Sequence, residues 1–205
     1  MRFLRICVCC GILVNLAFLS SVSSAGSLSV NDEVLRIANL SIRPWIQSSI
    51  VVGAIKRQNA RHASLSQDQI RELDQRWQDE LAVGFGRQEI VDTMLASPLS
   101  QFLVEKQEQS LGLITKLVVM DNKGMNVAIS HPIAEYWQGE NEMWQSTYGA
   151  GVNRTFVSNM QRQQGSRNYQ ITVSYSIADP ATGKNIGAIA VGINVEKLIA
   201  LTLAD

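Results

Sequence analysis

The residues best suited to chemistry in this chain lie in a crossover rich in large aromatics. Tyr136, Trp137, Trp144 and Tyr148 fall within one polar stretch. Such rings offer flat, half-polar walls for a small molecule, with OH and NH groups that orient it. The same rings equally suit a minor hydrophobic core beneath the loop. Catalytic constellations are scarce. His62 and His131 stand in separate segments with no His-x-x-x-His or Glu-x-x-His spacing, and there is no G-x-S-x-G elbow or P-loop. Glu135, Glu140 and Glu142 supply carboxylates of the kind used in glycoside chemistry, but loop glutamates are usually solvated. The expectation is a protein without catalytic residues, metal or cofactor.

Two strand pairs must position that crossover. Leu113 to Met120 is an apolar run that meets Asp121-Asn122-Lys123-Gly124 and continues as Met125 to Ser130, a hairpin pattern whose glycine supplies a positive φ. Tyr169 to Ile177 alternates strictly: Tyr169, Ile171, Val173, Tyr175 and Ile177 share one face, and Gln170, Thr172, Ser174 and Ser176 the other. The turn Asp179 to Gly183 leads into Asn185 to Val195, a strand uncharged on both faces. Such a sheet needs cover on both sides. The N-terminal helices are expected over one side and the Ser130–Gly151 crossover over the other, since a loop of that length is more often functional than a bare connection.

Helices come before the sheet. Val30 to about Asn59 carries a periodic apolar face with Asn31 or Asp32 as cap, and Pro44 predicts a kink or restart near Arg43. Trp45 falls in the apolar stripe and reads as core. Ser64 to Leu81 is a second helix with Ser66 and Gln69 as a capping box, and its charged residues, Glu72, Asp74, Arg76, Asp79 and Glu80, read as a solvated surface. Gln88 to Ser110 is a third, bent at Pro98. Gly84-Phe85-Gly86-Arg87 lacks the third glycine of a phosphate loop. Helices followed by an antiparallel sheet make an α+β domain.

The chain has 205 residues, 46% of them hydrophobic, and equal numbers of basic and acidic residues, 18 of each. That is enough for one domain with a sizeable core. Scattered Lys and Arg, with no basic run, argue against nucleic acid. Met1–Ala25 reads as a secretory signal: Arg2 and Arg5, an apolar run from Ile6 to Leu19, then Ser23-Ser24-Ala25. The alternative is an uncleaved anchor, for which the run is short and interrupted by Asn15. Cys7, Cys9 and Cys10 all fall in this segment, so the mature chain is expected to have no disulfide and no thiolate chemistry. The expected division is a signal over residues 1–25 and one domain over 26–205, helical over 30–110 and sheet over 112–195.

LVVMDNKGMNVAIS (117–130), EYWQGENEMW (135–144) and VSYSIADPATGKNIGAIAVGINVEKL (173–198), in that order, resemble the extracytoplasmic Cache domains, also called PDC domains. The resemblance covers about the last half of the chain. Ser174, Ile177, Asp179, Gly183, Ile186 and Gly187 follow the family's closing pattern with a turn one residue longer. It implies a PAS-like antiparallel sheet of about five strands and a small-molecule pocket contacted by Tyr136, Trp137, Trp144 and Arg154, with Tyr175 and Asp179 below or beside them. Arg154 would grip an anion bidentately. Read without the family, Arg154 is equally an exposed strand residue and Asp179 a turn former. Glu135 stands where amino-acid-binding members carry an arginine, which favours an amine-bearing ligand or simply faces solvent. The family's receptors continue into a membrane helix, whereas this chain stops at Asp205. The expectation is therefore a free-standing periplasmic or secreted domain that binds a small solute and reports to a membrane sensor kinase, cyclase or chemoreceptor. The alternative is a scaffold that kept the fold without the pocket.

Overall fold

The computed structural model describes residues 29–83, 88–163 and 166–203. The expected export signal with Cys7, Cys9 and Cys10, and the Gly84-Phe85-Gly86-Arg87 run, lie outside the described residues.

Prolines and small polar caps divide the helical half more finely than its apolar periodicity does. Helix α1 (Val30–Ser41) starts at Ser29 and not at Asn31 or Asp32. Ser29 Oγ accepts from the Asp32 amide at 3.2 Å and the Asp32 carboxylate accepts from the Ser29 amide at 3.3 Å, a reciprocal capping box. Pro44 lies in the first turn of a separate short helix, α2 (Arg43–Ile46), where its missing amide has no helical partner to lose. A further break at Ser48 begins α3 (Ser49–Arg61), so the expected 30–59 helix is three helices. Helix α4 (Gln67–Val83) carries the predicted Ser66/Gln69 box. The expected 88–110 helix is also divided, into α5 (Glu89–Leu95) and α6 (Pro98–Gln109). Pro98 does not bend a continuous helix; it opens a new one, because Ser97 is extended and caps the Ser100 amide at 3.1 Å.

The α+β expectation holds. Strands β1 (Ile114–Met120), β2 (Asn126–Ile129), β3 (Thr155–Val157), β4 (Gln161–Arg162), β5 (Tyr169–Ala178) and β6 (Asn185–Asn194) form one antiparallel sheet in the order β2-β1-β6-β5-β3, with β4 also on β5. The two predicted hairpins are joined by β1–β6 pairing, which places the last strand at the centre. The sheet has six strands because the three residues of β3 and the two of β4 line the β5 edge, segments too short for a periodic signal. Helices α7 (Glu142–Gln145) and α8 (Val195–Thr202) complete the described chain.

Alternation then sorts the core. Ile171, Val173, Tyr175 and Ile177, with Ile189, Val191 and Ile193, face α1, α3, α6 and α8 through Val34, Ala38, Ile55, Leu103 and Leu198. Each fully buried isoleucine contributes about 2 to 3 kcal/mol relative to exposure. Val118, Met120, Ala188 and Ala190 face the opposite way, against Tyr136 of the crossover and against Ile70, Trp77, Val91 and Met94. The N-terminal helices thus cover one face as expected, while α4 and α5 join the crossover over the other.

Candidate ligand cavity

The crossover is anchored at the β1–β2 turn. Asp121 Oδ1 accepts from the amides of Lys123 at 2.8 Å and Met125 at 2.9 Å, closing the turn on Gly124 at φ 82°. A Cβ on Gly124 would meet the Gly139 backbone at 2.6 Å, so only glycine lets the two segments close up. They are then joined by the Gln138 amide to the Gly124 carbonyl at 2.7 Å, the Asn126 amide to the Tyr136 carbonyl at 2.9 Å, and Asn126 Nδ2 to the Glu135 carbonyl at 2.8 Å. From the helical side, Asp74 Oδ1 accepts both the Tyr136 amide at 2.7 Å and the Trp137 amide at 2.9 Å. Trp77 stacks on Tyr136 at 5.4 Å between centroids and donates from Nε1 to the Ile133 carbonyl at 2.8 Å.

Held this way, residues 131–143 roof a cavity of about 690 Å³ above β1, β3 and β5. The sheet contributes Thr115, Lys116 and Val118 of β1, Phe156 of β3 and Gln170 and Thr172 of β5 to its floor. A Cβ on Gly192 would collide with Thr115 Oγ1, which instead donates to Gln170 Oε1 at 2.9 Å. The lining is rich in neutral amides and hydroxyls: Gln138, Asn141, Gln161, Gln170, Ser158 and Thr172.

Four titratable groups also line it: Lys116, His131, Glu135 and Glu142. Lys116 has no hydrogen-bonded or acidic partner among the described residues, and burial holds its ammonium below the usual lysine range. His131 is held below the ordinary imidazole range, first by partial dehydration and then by the Lys116 charge. The Glu135 carboxylate accepts from Asn141 Nδ2 at 2.9 Å. Such a set has the chemistry to orient a polar solute. Ser130 Oγ, 3.3 Å from His131 Nδ1, already accepts the Leu117 amide at 3.0 Å. No group of three or more metal-ligating side chains occurs among the described residues.

The six residues expected to contact ligand are not brought together in this cavity. Tyr136 is buried and lines a different, smaller cavity. Trp137 and Trp144 turn their indole N–H groups onto the turn, to the Lys123 carbonyl at 2.8 Å and the Asp121 carbonyl at 3.1 Å, and line a third hollow beside Leu65. Arg154 is exposed, with Nε donating to the Ala150 carbonyl at 3.2 Å. Tyr175 lies on the helix-facing side, its hydroxyl donating to Asn39 Oδ1 at 3.2 Å and its ring beneath Arg43. Asp179 accepts from Lys56 Nζ at 2.7 Å and the Ala181 amide at 3.0 Å, which hold its carboxyl below the usual range.

Lys116, Gln138, Asn141, Gln170 and Thr172 were not among the expected contacts. A lone lysine inside the apolar run 113–120 and a polar face on 170–176 are signals for Lys116, Gln170 and Thr172, whereas Gln138 and Asn141 carry none. Asp74 and Glu80 are not the solvated surface that their charge predicts. Asp74 holds the roof, and Glu80 accepts the first amides of α5 from Ile90 and Val91 at 2.8 and 3.1 Å.

No family model matches the sequence, and no curated protein matches it. Solved structures do. The extracellular domain of rpHK1S-Z16, described as a histidine kinase, aligns at 14% identity over 62% of this chain and 53% of its own, with a TM-score of 0.43. The ligand-binding domain of the Campylobacter jejuni chemoreceptor Tlp3, solved with 4-methylisoleucine, aligns at 16% identity over 82% of this chain and 60% of its own, TM-score 0.38. The Vibrio cholerae histidine kinase DctB sensor domain aligns at 14% identity over 74% and 59%, TM-score 0.36. The chain spans about 53 to 60% of the length of these three chains. They are, in that order, an extracellular domain of a histidine kinase, a ligand-binding domain of a chemoreceptor and a sensor domain of a histidine kinase.

Proposed function

We propose that this chain is an exported sensory domain of the Cache type that binds a small polar solute between the 131–143 roof and the sheet, without turnover, and reports occupancy to a membrane kinase, cyclase or chemoreceptor. The observation that carries the reading is the cavity of about 690 Å³ with half-buried Lys116, unpaired among the described residues, in its wall. That volume lies in the range of small-molecule sites, and a half-buried cation with no ion-pair partner among the described residues favours a ligand that brings one. Lys116 takes the anionic end of the solute. Gln138, Asn141, Gln170 and Thr172 take its neutral polar groups, and Glu135 suits an amine. Tyr136, Trp137 and Trp144 serve the site by carrying the roof.

A thermal-shift screen of carboxylic acids, amines and amino acids on the purified protein tests this. A ligand present at ~100 times its dissociation constant should stabilise the fold by about 2.7 kcal/mol. The stabilisation should vanish in Lys116→Met and Thr172→Val variants that, without ligand, melt no lower than the parent. Absence of any stabilising compound, or binding that both variants leave intact, would overturn the reading and favour the scaffold.

A further inference from the structure

A second cavity, about 390 Å³, opens between α3, α4, α5 and β2 and shares no lining residue with the first. Its polar wall is dominated by donors without acceptors. Arg61 at the end of α3 and Arg76 on α4 both line it, and neither guanidinium has a hydrogen-bond or ion-pair partner among the described residues. Tyr136, 7% exposed, also lines it, and its hydroxyl has no acceptor there. The phenol is pushed up to about 12 by burial and by the Asp121 charge, against the opposing pull of Arg61, so it remains a donor at neutral pH. Thr93 adds a second hydroxyl without a partner among the described residues.

The remaining charged groups do not cancel this excess. Glu89 lines the cavity but is engaged by another group. The Asp121 carboxylate lies behind it, fully buried, its oxygens taken by Gln58, His62 and two backbone amides. His62 Nδ1 is committed to that carboxylate. Arg61 and Arg76, both exposed to solvent, and the hydroxyl-bearing Tyr136 and Thr93 line one space, a set suited to an acceptor with several oxygens, and guanidinium matches tetrahedral oxyanions bidentately.

We propose that this cavity is a binding site for a phosphate-type oxyanion, clamped by Arg61 and Arg76 and completed by the Tyr136 hydroxyl. The assignment is independent of the solute cavity.

The test is calorimetric titration of the purified protein with inorganic phosphate at fixed ionic strength, with chloride as control and glycerol phosphate as a second arm. Saturable binding of phosphate and not of chloride is expected. Arg61→Gln and Arg76→Gln should each weaken it about tenfold, the scale of one charge-assisted contact, with lysine at either position restoring part. Tyr136→Phe should weaken it a few-fold while leaving the unliganded melting temperature unchanged. Tighter binding of glycerol phosphate would support a phosphate ester as occupant, and equal binding the free anion. No saturation by ~10 mM, weaker than millimolar affinity, would overturn the proposal. So would phosphate binding that either the arginine substitutions or Tyr136→Phe leave unaltered.

Discussion

His62 Nδ1 lies 3.0 Å from Asp121 Oδ2, a contact that ties the end of α3 to the β1–β2 turn across 59 residues of sequence. Three N–H groups besides His62 already point at this fully buried carboxyl, from Gln58, Lys123 and Met125. A carboxylate that only accepts is the form that suits them, so His62 carries its proton on Nδ1. The same turn receives Trp144 and, through Lys123, Trp137. Helix, turn and crossover therefore meet at one side chain.

Asp121→Ala should be among the costliest single substitutions in the chain. It strands four buried or half-buried donors, and hydrogen bonds to a charged acceptor are worth about 1.5 to 3 kcal/mol each before relaxation. A loss of about 4 kcal/mol in urea unfolding is expected, and a loss under ~1 kcal/mol would mean that water replaces the carboxylate at no cost. His62→Phe, which removes one donor, should cost about 1 to 2 kcal/mol.

Asp74 acts on the roof and not on the solvent. Asp74→Ala frees the Tyr136 and Trp137 amides, with an expected loss of about 1 to 3 kcal/mol for two acceptor contacts. Hydrogen exchange at those two amides should quicken well before exchange in β5 and β6. Equal protection in variant and parent would refute the anchoring role.

Lys116 should make the fold more stable as the solution becomes alkaline. Burial lowers its folded pKa below the reference 10.5, so between the two values the unfolded chain binds more protons and stability rises with pH. Below that window the cost of the buried charge is fully present. Lys116→Met should therefore raise the melting temperature at pH 7, and the gain should shrink as pH approaches 10.5. A gain independent of pH would show that packing, and not charge, is responsible.

Tyr136 and Tyr175 work in the opposite direction at high pH. Both phenols are pushed up to about 12, chiefly by burial, from a reference of 10.0. Above pH 10 the unfolded chain loses these protons first, so their contribution falls progressively up to about pH 12. Ultraviolet titration should show Tyr136 and Tyr175 ionising near pH 12, with Tyr148 also raised by burial and the Asp121 charge, and Tyr136→Phe and Tyr175→Phe should each flatten the alkaline loss of stability.

Local chemistry, read one segment at a time, determined much of this protein: the α+β class, helices before sheet, both long hairpins, the Ser66/Gln69 cap, the sorting of Tyr169 to Ile177 onto two faces and the need for cover on both. These follow from period, turn and cap signals that act over a few residues. Tertiary structure alone decided where the cavity lies and which side chains enter it. The aromatic ring count marked the crossover, but whether Trp137 and Trp144 face a ligand or the turn depends on carbonyls 14 and 23 residues away. Asp74 looked like surface because its partners, 62 and 63 residues on, are backbone amides that leave no trace in residue type. Tyr175 was sorted onto the correct strand face, but α1 covers that face and the crossover covers the other. The assignment of a face to a covering element depends on packing between distant segments, and residue patterns within a single strand do not carry it.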